Sequence, residues 1–152
     1  MERIRVLLVD RSAWFVSSAR SFLSMNPDIE IVGHCSSARD ALDQSRDLAP
    51  DLILMDLGLS HVSPFDLARQ LKAINPHSRV VLLGLHDNEH YRNAARDAGA
   101  DAFLPKWDFA CRIWPTLGPL FDGCLSTESR EQRAPGANGK SENVSIGDST
   151  RR

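Results

Sequence analysis

Four short stretches of this chain carry side chains able to do chemistry, and each follows an apolar run. They are Asp10-Arg11 after IRVLLV, Asp56 after LILM, Gly84-Leu85 after VVLL, and Pro105-Lys106 after AFL. An aspartate facing a lysine from a neighbouring segment can attack phosphorus or bind a cation, with the ammonium pairing the phosphoryl oxygens. The same pair can equally be a plain ion bridge that pins two loops together. The choice depends on whether the chain brings these segments to one edge.

The pattern of elements does so. Five apolar segments stand out at Ile4–Val9, Ile29–Gly33, Leu52–Met55, Val80–Leu83 and Ala102–Leu104. The first, third and fourth are nearly continuous Val, Ile and Leu, as in strands buried on both faces of a parallel sheet. Between them lie amphipathic stretches with explicit helix punctuation. Ser12 caps a helix with a stripe of Phe15, Ala19, Phe22 and Leu23, ended by Asn26-Pro27. Ser37 caps the next, with Ala41 and Leu42 inward and a stop before Pro50. Ser63-Pro64 is a cap followed by proline at the first helical position, and that helix ends at Asn75-Pro76. Residues 88–98 form a fourth helix closed by Gly99, and Asp108 opens a fifth. Alternation of this kind implies right-handed crossovers and a doubly wound α/β sandwich with a five-stranded parallel sheet and helices on both faces. In such sheets the functional crevice lies at the carboxyl ends of the strands, where all four stretches fall.

Composition bounds the function. The chain has 152 residues, 18 Lys plus Arg against 20 Asp plus Glu, and a net charge of −2. Near-neutrality argues against a surface built to neutralise nucleic-acid phosphates. The longest apolar run, Val6-Leu7-Leu8-Val9, is too short for a membrane span or a secretory h-region. Cys35, Cys111 and Cys124 have no zinc or disulfide spacing, so reduced thiols and a cytoplasmic location are expected. His61, His77, His86 and His90 have no ligand spacing either. Dinucleotide-binding, P-loop and nucleophile-elbow motifs are absent. From Ser126 onward the only large apolar residues are Val144 and Ile146, too few to offset ordering entropy. The expected organisation is a folded domain over residues 1–122 and a disordered tail over 123–152.

The stretches VLLVD, PDLILMDLGLS and AGADAFLPK resemble the receiver domain of bacterial two-component response regulators, over about residues 3 to 121. The resemblance implies a flavodoxin-like fold and a signalling domain rather than an enzyme. It implies phospho-acceptance at Asp56, a phosphoryl contact from Lys106, and Mg²⁺ held by Asp10, Asp56 and the backbone carbonyl of Gly58. Its implied partner is a histidine kinase or other signalling protein, with a homodimer or heterodimer both open.

Three pocket positions depart from that family. A second acidic residue is usual where Arg11 stands, a Thr or Ser where Gly84 stands, and Tyr or Phe where Phe103 stands, whose ring has no hydroxyl. Two carboxylates facing Arg11 and Lys106 make the pocket neutral without a metal, which makes Mg²⁺ doubtful as a cofactor. The fork of Arg11 could grip Asp10 or Asp56 in a bidentate pair, or point to solvent. Gly84 offers no side-chain hydrogen bond to a phosphoryl group. Two functions follow: a single-domain response regulator with impaired phospho-acceptance, or a phosphorylation-independent pseudo-receiver that recognises its partner directly. With no helix-turn-helix after residue 121, direct nucleic-acid binding is not expected. The expected contact surface is the aromatic-rich region containing Tyr91, Trp107 and Trp114, with Phe109 assigned to the core. Pro115 and Gly118-Pro119 predict a short or kinked fifth helix.

Overall fold

The computed structural model describes residues 2–121 and residue 125. Five strands, β1 (Ile4–Val9), β2 (Ile29–Cys35), β3 (Leu52–Asp56), β4 (Arg79–Gly84) and β5 (Ala102–Pro105), form one parallel sheet in the order β2-β1-β3-β4-β5. The helices are α1 (Ala13–Leu23), α2 (Ala38–Leu48), α3 (Pro64–Ile74), α4 (Glu89–Asp97) and α5 (Phe109–Leu120). A single 3-10 turn, Lys106–Asp108, joins β5 to α5. The doubly wound parallel architecture is therefore the one the apolar spacing predicts.

Side chains of the central strands alternate strictly between two cores. Val6, Leu8, Leu52, Leu54, Val81 and Leu83 face the layer of α1 and α5. Leu7, Val9, Ile53, Met55, Val80 and Leu82 face the layer of α2, α3 and α4. Because both faces are covered, the middle positions of these strands are apolar without a break, and the period of two becomes invisible in the sequence.

Ser12, Ser37 and Ser63 each accept a hydrogen bond from the backbone N–H three residues on, so the three expected caps form, and Asn88, expected as the first residue of the fourth helix, caps α4 in the same way. Gly99 follows α4 with φ +89°, the left-handed conformation that glycine adopts without strain. In α1 the buried residues are Val16, Ala19 and Leu23; Phe15 and Phe22 are only half-buried and reach across to α5. The expected break in α5 is corrected: the helix runs unbroken for 12 residues with Pro115 and Pro119 inside it. The two prolines are four apart on the exposed face, opposite Ile113, Trp114 and Leu117. The carbonyls that lose their donors belong to Cys111 and Pro115, both exposed residues on that same side, where an unpaired carbonyl costs least.

The amino end of the sheet is fastened by polar groups. Asp101 accepts from the Val80 N–H at 2.8 Å and from Lys72 at 3.1 Å, and pairs with Arg79 at 3.6 Å. Ser78 donates its hydroxyl to the Pro50 carbonyl, and Asp51 accepts from the Arg5 N–H at 2.9 Å. No helix among the described residues is long and apolar enough to cross a membrane. The tail expected over 123–152 lies outside the described residues, except for Leu125, which packs against the α1/α5 core.

Candidate functional site

All strands run the same way, so their carboxyl ends share one rim. The register places Val9 beside Met55, Asp56 beside Leu83, and Gly84 beside Pro105. Asp10, Asp56 and Lys106 therefore meet, although 46 and 50 residues separate them in turn. The Lys106 ammonium lies 2.7 Å from Asp10 Oδ2 and 3.3 Å from Asp56 Oδ1. It also stands 4.4 Å from the centroid of the Phe15 ring, which closes the site on the α1 side.

The three groups are largely withdrawn from water, with side-chain exposures of 3% for Asp10, 13% for Asp56 and 14% for Lys106. Asp10 Oδ1 accepts from the Ser12 N–H at 2.8 Å, while Oδ2 has the Lys106 charge as its near partner without a well-aligned hydrogen bond. Burial, then repulsion from Asp10, pushes the Asp56 carboxyl above the ordinary aspartate range. Lys106 and the backbone N–H of Gly58 pull it back down. The site is thus an acidic pair sharing one cation, with a residual charge of about −1.

Arg11 does not complete it. Its side chain is exposed and forms no ion pair among the described residues with either aspartate. The bidentate grip is corrected accordingly, and so is the neutral balance counted from four charges. A guanidinium at the mouth of the pocket would have to give up hydration to enter it, and Lys106 already meets both carboxylates. Arg11 instead lines a cleft of about 760 Å³ between the ends of β1 and β2, with Arg20, His34, Asp40 and Gln44.

Gly58 sits in the β3–α3 loop, where a Cβ would lie 3.0 Å from Asp56 Oδ2. Gly84 is buried at the end of β4, with the Phe103 ring against it. On the other side of Asp56 a cavity of about 500 Å³ is lined by Leu57, Pro64, Phe65, Gly84, Leu85 and Tyr91. Its walls are mostly apolar, and Asp56 and Lys106 form its polar end.

The aromatic surface is partly as expected. Trp107 is 67% exposed, with the Arg112 guanidinium 5.8 Å from its ring. Trp114 is corrected: it is buried at 6% and stacks on Phe22 at 5.8 Å, so it is core rather than contact surface. Phe109 is core, as expected. Tyr91 is half-buried, with its ring 6.4 Å from that of Phe103. Asp108 does not cap α5; its carboxylate accepts from Arg112 Nε at 2.8 Å. Sequence reasoning missed Asp87, which pairs with both Arg92 and Arg112 and ties the β4–α4 loop to α5. Only the Asp108–Arg112 spacing of four signalled part of that network. Exposed Trp14, at 77%, also escaped the contact-surface assignment.

The comparisons agree with this geometry. The response regulator receiver domain family matches residues 6–109. The chain is 38% identical over 112 residues to the response regulator protein VraR of Staphylococcus saprophyticus, covering 72% of this chain and 53% of that one. It thus spans about half the length of the curated relatives it matches. Among solved structures it resembles a LuxR-family two-component response regulator from Aurantimonas, at TM-score 0.74 and 20% identity, covering 80% of this chain and 87% of the other. It also resembles the signal receiver domain of the putative response regulator NarL from Mycobacterium tuberculosis, at TM-score 0.68 and 23% identity, covering 76% and 96%. Sheet order, rim chemistry and family match converge: this chain belongs to the response regulator receiver domains of two-component signalling.

Proposed function

We propose that this chain signals by protein–protein contact in a two-component phosphorelay, with phosphoryl acceptance at Asp56 impaired. The observation carrying this reading is that one ammonium, Lys106, is shared between Asp10 and Asp56 at 2.7 and 3.3 Å. In acceptance, an Asp56 oxygen bonds to phosphorus as the donor's bond to phosphorus breaks. The arriving phosphoryl oxygens then need cations. Lys106 is the cation within reach, and it is already spent on the two carboxylates.

The donor set fits Mg²⁺ poorly. Mg²⁺ demands near-octahedral oxygen ligands and dehydrates reluctantly. Here Asp10 and Asp56 contribute carboxylates that Lys106 already bridges, and Arg11 follows Asp10 in place of a third acid. Among the described residues no group of three or more His, Cys, Asp or Glu could hold a metal. Gly84 adds no hydroxyl donor for a phosphoryl oxygen. The partner is a histidine kinase or another signalling protein, and exposed Trp107 with Arg112 beside it is the natural anchor for it.

A second reading is a pseudo-receiver that recognises its partner with no phosphoryl group at all. The packing of Phe103 on Gly84 favours it, because the place of a phosphoryl-contacting side chain is filled by a ring. The deciding experiment is incubation with acetyl phosphate and Mg²⁺, read by intact mass, with Asp56→Asn as control. The expected result is little or no phosphorylated protein. Stable, Mg²⁺-dependent gain of one phosphoryl group that Asp56→Asn abolishes would overturn impaired acceptance.

A further inference from the structure

The glycine that ends β4 is not there for backbone freedom. Its φ lies outside the positive range, so any residue could adopt the conformation. It is there for space. A Cβ at position 84 would lie 2.9 Å from Phe103 Cζ, 3.0 Å from Phe103 Cε1 and 3.0 Å from Leu57 Cδ1. Carbon atoms pack at about 3.5–4.0 Å, so the ring edge occupies the volume a side chain would need.

What the ring does there follows from its other side. Phe103 faces Tyr91, in the first turn of α4, with centroids 6.4 Å apart and planes inclined by 31°. Within α4 the one fully buried residue is Ala95, joined by Ala98 just past its end. A helix that buries only small side chains gains little from the hydrophobic effect and needs a larger anchor. The Tyr91–Phe103 pair supplies it at the rim end of α4, assisted by Asp87, which precedes the helix and pairs with Arg92 and Arg112.

We infer that Gly84 is a seat for the Phe103 ring, and that the seated ring holds α4 against the sheet whatever the charge on Asp56. This deepens the reading of impaired phosphoryl acceptance and gives that site its regulation: the α4–β5 face is set by packing and stays in one state. Contact runs from Leu57, next to Asp56, through Gly84 and Phe103 to Tyr91, and none of the three residues before Tyr91 has a hydrogen-bonding side chain. Along this packed path a new charge at Asp56 therefore has no directional handle on α4.

The test is hydrogen exchange of the full chain, comparing wild type with Gly84→Ala, Gly84→Thr, Phe103→Ala and the double variant Gly84→Thr/Phe103→Ala. Amides over residues 91–97 are expected to exchange about tenfold faster in Gly84→Thr and in Phe103→Ala, with α1 and α3 unchanged. The double variant is expected to match the singles, because each change alone already removes the ring from its seat. Gly84→Ala covers the case in which Gly84→Thr does not fold. Unchanged α4 exchange in both Gly84→Ala and Phe103→Ala overturns the inference, as does full additivity in the double variant. Acetyl phosphate separates the two readings. Phosphorylated Asp56 with unchanged α4 exchange sinks impaired acceptance alone, whereas altered α4 exchange on phosphorylation sinks the seated ring.

Discussion

Replacing Lys106 by methionine removes the one charge that lies between Asp10 and Asp56 while keeping the length of its stem. Both aspartates keep their burial, at 3% and 13% side-chain exposure, and lose their cation. Breaking a buried pair by removing one partner costs about 3–5 kcal/mol. Partial exposure of Asp56 places Lys106→Met at the lower end, about 3 kcal/mol at neutral pH, including the contact with Phe15. That is about two orders of magnitude in the unfolding constant.

The pH dependence gives the sharper test. Burial and Asp10 already raise the Asp56 carboxyl, and without Lys106 it rises further. A carboxyl with a folded pKa above its unfolded value stabilises the fold through its protonated form. That stabilisation is complete below the ordinary aspartate value of about 3.8 and is lost as pH rises through the folded value. The deficit of Lys106→Met is therefore largest near neutrality and shrinks on acidification. Urea unfolding at about pH 7 and about pH 5, followed by Trp fluorescence, measures it, since Trp114 is buried against Phe22. Adding Asp56→Asn to Lys106→Met should recover part of the loss at pH 7, with the rest left on Asp10, which is the more buried of the two. An equal deficit at both pH values, or one below about 0.5 kcal/mol at pH 7, refutes the shared-cation account.

Two further outcomes are expected. Trp114→Ala should cost about 3–5 kcal/mol in urea unfolding, because it empties the core between α1 and α5. Trp107→Ala should stay within about 0.5 kcal/mol, and equal costs for the two would contradict their burial. In iodoacetamide labelling followed by peptide mass analysis at mildly alkaline pH, exposed Cys111 should react while Cys35 stays unmodified. Burial and the nearby Asp40 raise the Cys35 thiol to about 11, so little thiolate forms. Rapid labelling of Cys35 in the folded protein would count against that burial.

Local signals carried most of the fold. The caps at Ser12, Ser37 and Ser63 and the stop at Gly99 are satisfied by groups within a few residues, so a window of the sequence contains the whole interaction. The meeting of Asp10, Asp56 and Lys106 was legible for a different reason: parallel strands force their carboxyl ends to one rim. Features set by three-dimensional packing were not legible. Prolines broke α5 on paper because sequence does not reveal that both lie on its wet face. Arg11 counted as a pocket charge because desolvating a guanidinium has no sequence signature. Trp107 and Trp114 look alike in composition, and only the stacking on Phe22 separates core from surface. Gly84 was read as a lost hydroxyl, and the ring resting on it came from a residue 19 positions away.

The clamp of charges at the amino end of the sheet has a consequence for how this scaffold can be altered. Asp101, Ser78 and Asp51 join strands and loops there without touching the opposite rim. Tolerance to change is therefore polarised along the strands. Away from Asp10, Asp56 and Lys106, loops at the carboxyl rim can be exchanged or lengthened while the far end keeps the strands in register. The molecule behaves as a handle with an interchangeable head, and new recognition can be built on the head with the grip left as it is.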